Sequence, residues 1–202
     1  MKLKIWELAL CVALVLAVLW GALLDQRQQG LSDQLLRLHV LAHSDSGADQ
    51  DLKNHVRDQV RAMVEPLVAD APCRVTAEDE IAQNLTAITN AATDALSNRG
   101  ADLPVRAMLT RESFPTRAYT TFTLPAGLYS SLRIEIGEAR GQNWWCVVFP
   151  PLCLEVAISP DAIETAGLDE AEVALITGEG RGLAMRFWTL EMIEGLRSRF
   201  RS

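Results

Sequence analysis

The stretch from Gly141 to Cys153, Gly-Gln-Asn-Trp-Trp-Cys-Val-Val-Phe-Pro-Pro-Leu-Cys, limits the fold more than any other. It holds two of the five tryptophans, two of the four cysteines and two of the eight prolines, a density foreign to a loop. Successive side chains of a strand point to opposite faces. Trp145, Val147 and Phe149 therefore share one face, and Trp144, Cys146 and Val148 the other. With both faces apolar, the strand either lies near the middle of a sheet covered on both sides or leaves a tryptophan out for a partner. Pro150 and Pro151 have no N–H for a ladder, so the strand stops and the chain turns.

The remaining elements follow from periodicity. Leu35 to Ala42 alternates, with Leu36, Leu38 and Val40 on one face and Arg37 and His39 on the other, which predicts a strand. Leu52, Val56, Val60, Val64 and Leu67 recur at helical steps behind Ser46 or Asp49 as N-cap, with Pro66 kinking or ending the helix. Thr76-Ala-Glu-Asp opens a second helix, striped by Ile81, Leu85, Ile88, Ala92 and Leu96 and stopped at Asn98-Arg-Gly. From Pro104 the period becomes two: strands at 105–110, 118–124 and 132–136 precede the aromatic strand. Helical segments are expected after Ser159 and from Phe187 to Phe200. The order implies an α+β domain: a largely antiparallel sheet of about five strands, a helical pair on one face, C-terminal helices and the aromatic strand near the middle.

Lys2 and Lys4 precede an uncharged apolar run from Leu8 to Leu24, closed by Asp25-Gln-Arg. Seventeen residues of helix span about 25 Å, which fits a signal sequence or a membrane anchor. Residues 1–24 are therefore expected to be a leader or anchor, 25–34 a polar linker and 35–202 an extracytoplasmic domain, the basic end staying inside. A net charge of −7 without a Lys/Arg run argues against nucleic acid as partner. Outside the cytoplasm Cys146 and Cys153 are the natural disulfide pair, with two buried free thiols as the alternative.

Candidate chemistry is sparse. His43, Ser44 and Asp45 carry the residue types of a triad, but neighbours in sequence seldom aim at one centre. His39, His43 and His55 show no metal-ligand spacing, so neither metal nor cofactor is expected. The glycines of 178–182 lack the spacing of a phosphate loop, and no small-molecule substrate is implied.

Several motifs, in order, resemble the stage II sporulation protein R family of endospore-forming bacteria: Leu36-Arg-Leu-His-Val-Leu-Ala-His-Ser-Asp-Ser, Pro125-Ala-Gly-Leu-Tyr, Leu132-Arg-Ile-Glu-Ile-Gly-Glu-Ala and the aromatic stretch. The resemblance implies a signalling protein made in the forespore and sent into the space between the two membranes. There it activates a membrane-bound sporulation aspartic protease that matures the pro-form of a mother-cell sigma factor. Two other classes stay open: a cell-wall hydrolase using Asp45, Glu135 or Glu138, and a thiol redox protein built on Cys146 and Cys153. For a signalling protein the contact surface is expected at Gln142, Asn143, Trp144, Trp145, Phe149 and Pro150, or at the polar loop containing Ser44 and Asp45. The alternative for the tryptophans is the core.

Overall fold

The computed structural model describes residues 5–119 and 123–150, with backbone only at 5–9 and 20–29. The helices and loops expected beyond Pro150, together with Cys153, lie outside the described residues. In chain order the elements are α1 (Ile5–Gln34), β1 (Leu36–Leu41), α2 (Gly47–Val68), α3 (Arg74–Ser97), β2 (Val105–Phe114), β3 (Arg117–Ala118), β4 (Thr123–Leu124), β5 (Gly127–Ile136) and β6 (Asn143–Phe149).

The α+β class stands, with a mixed sheet. Four strands run in the order β2-β5-β1-β6, while β3 and β4 form a separate two-stranded ribbon. β5 pairs antiparallel with β2, and β6 antiparallel with β1, but the central pair β1 and β5 is parallel. Parallel neighbours need a long crossover, and α2, α3 and β2 supply it. The aromatic strand is thus at the edge of the sheet as described, not near its middle, and β1 separates it from β5. The expected strand at 118–124 is instead the β3–β4 ribbon, and β5 begins at Gly127, earlier than the alternation from Leu132 indicates.

One face of the sheet packs on the helical pair. Leu36, Leu38 and Val40 of β1, Leu132, Ile134 and Ile136 of β5, and Cys146 and Val148 of β6 join Val56, Val60, Val64 and Val68 of α2 and Ile81, Ile88 and Ala92 of α3 in one core. Burying a side chain of this size contributes roughly 1.5–3 kcal/mol, so this layer carries most of the fold. Ser46 caps α2, its hydroxyl accepting the Asp49 N–H at 3.1 Å, and Pro66 lies two residues before the helix ends. α3 starts at Arg74 with Cys73 as N-cap, upstream of the capping pattern at Thr76.

Residues 25–34 continue α1 instead of forming a linker. The end of that helix is anchored: Leu31 is fully buried, the Asp33 carboxylate pairs with Arg111 at 2.7 Å, and the Asp33 carbonyl accepts from Arg74 at 2.6 Å. The described side chains from Leu10 to Leu19 are all exposed. Among the described residues no helix is long and apolar enough to cross a membrane.

Candidate functional site

Where β1 ends and β6 begins, Leu41 pairs with Asn143, and the loops at 42–46 and 137–142 meet. The Gly141 N–H donates to the Ala42 carbonyl at 2.9 Å and the Arg140 N–H to the His43 carbonyl at 3.3 Å. Two side chains receive backbone donors: Asp45 Oδ1 from Gln142 at 2.7 Å, and His43 Nδ1 from Glu138 at 3.0 Å. α2 closes the cluster from behind. Gln50 Nε2 donates to the Ser44 carbonyl at 2.8 Å, and the nearly buried Lys53 donates to Gln50 Oε1 at 2.7 Å and the Gln142 carbonyl at 3.3 Å. Burial lowers the Lys53 pKa, Arg57 adds to this, and Asp45 opposes it.

Glycine is required here by contact. A Cβ on Gly141 would strike the Ser44 carbonyl, and one on Gly137, at φ +58°, would enter the His43 ring. The Ser44 hydroxyl donates to the Asp49 carboxylate, holding that carboxyl below its usual range together with Ser46. His43, Ser44 and Asp45 are therefore engaged with three different partners, and no serine–imidazole hydrogen bond forms between them.

A second cluster lies on the sheet face turned away from α2 and α3. His39, buried in β1, reaches Glu112 Oε1 through Nδ1 at 3.0 Å and Asn143 Oδ1 through Nε2 at 2.9 Å. Arg133 bridges Glu112 at 2.9 Å and Glu135 at 2.9 Å. Next to it Arg37 is fully buried, its guanidinium 4.0 Å from the centre of the Phe114 ring and 5.0 Å from that of Tyr129. Its Nη2 donates to the Tyr119 hydroxyl at 2.7 Å, and that hydroxyl donates to the Trp145 carbonyl at 3.4 Å. Trp145 packs against His39 and Phe114, with Arg117 5.6 Å above its ring. Burial lowers the Arg37 pKa, offset in part by Tyr119 and Tyr129.

Glu112 gives this cluster a pH signature. Burial alone would raise its carboxyl, but hydrogen bonds led by that from His39 outweigh burial and hold it down to about 2. A depressed carboxyl contributes stability that is complete above its unfolded value of 4.5 and lost as pH falls through 2. Urea unfolding across that window should show the protein losing about 3 kcal/mol, and Glu112→Gln should flatten the dependence. An unchanged slope in the variant would remove Glu112 as the responsible group.

The expected contact residues do not form one patch. Gln142 and Asn143 stand exposed beside Ser44 and Asp45, and these four form a continuous edge. Trp144 is half-buried on the helical side with Arg57 4.9 Å over its ring, while Trp145 is half-buried on the opposite face. Phe149 and Pro150 are buried and present no outer surface, because the end of β6 turns into the core beside Leu36. Cys146 is disulfide-bonded, and the thiols of Cys11 and Cys73 are free. Asp45, Glu135 and Glu138 are each held separately, by Gln142, Arg133 and Arg140. Among the described residues no group of three or more His, Cys, Asp or Glu is placed to hold a metal ion. Sequence reasoning missed Arg37, Glu112, Tyr119 and Arg133 as a set. The signal available was a charged residue and a histidine inside a strand otherwise made of Leu and Val.

An α+β domain with a buried polar and aromatic layer and a glycine-locked loop pair is what the geometry defines. Residues 32–158, more than half of the chain, match the family model described as stage II sporulation protein R, and the chain belongs to that family. It is 39% identical over 123 residues to stage II sporulation protein R of Bacillus subtilis (strain 168), a match covering 61% of this chain and 55% of that relative. The chain thus spans little more than half the length of the curated relative it matches. No solved structure matches it. The family's description is that of a sporulation protein.

Proposed function

We propose that this protein is an exported sporulation signal that activates a membrane-bound aspartic protease, which then matures the pro-form of a mother-cell sigma factor. The observation that carries this reading is the family match over residues 32–158, the segment containing both the loop edge and the buried cluster. Export is supported by the basic start and the uncharged run from Leu8 to Leu24, on a helix whose described apolar side chains face outward. That run delivers the domain to the intermembrane space, as a cleaved leader or as a lasting anchor. Recognition in place of catalysis is supported by the separate engagement of Ser44, His43 and Asp45.

The contact edge on this reading is Ser44, Asp45, Gln142 and Asn143, where the Gln142 N–H fixes the Asp45 carboxylate, His39 fixes the Asn143 side chain, and the edge still reaches solvent. Co-expression with the candidate protease and its sigma-factor precursor, in a host that does not sporulate, tests it. Precursor cleavage should require all three proteins, and Gln142→Arg should abolish it while leaving the fold intact. Cleavage without this chain, or none with all three present, would sink the proposal.

A further inference from the structure

The face of the sheet opposite the helices holds buried donors with no acceptor among the described residues. Nε and Nη1 of Arg37 and Nε1 of Trp145 are buried and make no hydrogen bond among the described residues. All three belong to side chains packed on Phe114. The described acids of this face are committed elsewhere: Glu112 to His39 and Arg133, and Glu135 to Arg133. A second cation, Arg117, lies over Trp145 at the surface and faces the same cluster. Two arginines so placed repel each other, and the only described hydrogen bond to either guanidinium is that between Arg37 and the neutral Tyr119 hydroxyl.

Leaving a buried donor unpaired is costly, and more so when it is charged, so such a group persists where an acceptor completes it. The missing group must accept from several N–H donors, carry negative charge and lie against aromatic walls. A carboxylate does all three, and guanidinium is the side chain whose planar donors match it best. We infer that Arg37 and Trp145 form a carboxylate-binding site walled by Phe114 and Tyr129. The carboxylate comes from a second molecule, either free or on an acidic segment.

The test uses the ¹⁵N-labelled full chain in micelles, titrated with sodium acetate against sodium chloride of matched ionic strength. A saturable shift of the Arg37 Nε–H and Trp145 indole signals assigns the site to an external carboxylate. In that case Trp145→Phe, which keeps an aromatic ring and removes the donor, should weaken acetate binding roughly 2- to 10-fold. If acetate moves neither signal but a short Glu-rich peptide does, the site takes a carboxylate presented on an acidic segment. Absence of both responses overturns the inference. Trp145→Phe keeps the ring, so a mild variant carries the test even if a harsher one fails to fold.

Discussion

Leu38→Ala is expected to lower the unfolding free energy by about 2–5 kcal/mol, the largest effect of any single truncation considered. Leu38 is fully buried on β1, opposite Leu132 on one side and Cys146 on the other, beneath the layer formed by α2 and α3. Hydrogen-bonded neighbours on both flanks hold the backbone, so the void left by the side chain cannot close by strand movement. Leu128, also on a strand of this sheet, is 51% exposed, and its truncation should change stability by no more than about 0.5 kcal/mol. Denaturant titration of both variants measures the difference. A loss below 1 kcal/mol for Leu38→Ala would mean that the helical pair does not seal the strand.

The second large effect is expected at Gly141. Alanine there places a methyl group against the Ser44 carbonyl and the Ala42 side chain, so the paired loops must separate. Overpacking against backbone costs typically 1–3 kcal/mol, and here it also breaks the hydrogen bonds from Gly141 to Ala42 and from Gln142 to Asp45. Hydrogen exchange should show the amides of Gly141 and Gln142 losing protection while those of Ile134 and Val148 keep theirs. Gly47→Ala is the matched control, since a Cβ at Gly47 meets nothing within 4 Å. It should leave stability unchanged or raise it by about 0.4–1 kcal/mol. Equal behaviour of the two variants would show that the loops do not depend on close backbone approach.

Those two sites also show what could be read from residues alone. The stripe of Val56, Val60 and Val64 was legible because a helix buried on one side repeats its pattern locally, and Ser46 was legible as a cap for the same reason. The alternation in β1 revealed that Arg37 and His39 share a face. It did not reveal that the face is roofed, because the roof comes from Phe114, Tyr119 and Trp145, far away in sequence. Apolar residues on both faces of β6 suggested a central strand, yet β6 has one described neighbour. Being covered above and below depends on the layers over the sheet, and that is independent of strand order. The start of β5 was hidden because Ser130 and Ser131 are buried polar residues that interrupt the expected pattern. The need for glycine at position 141 was hidden, because its contact with Ser44 joins segments nearly a hundred residues apart.

The parallel pairing of β1 with β5 sets a timetable for synthesis. Leu36 leaves the ribosome first, and its ladder partner Ser130 follows about ninety residues later. At 5–20 residues per second that is a wait of roughly 5–20 s. Until then the newborn Leu-Arg-Leu-His-Val-Leu segment has only the α2–α3 hairpin to lie against, and both sides of its backbone stay open to any passing strand, because β6 is made later still. A chaperone or translocation factor that shields this short hydrophobic stretch during the delay would raise the yield of correctly assembled sheet.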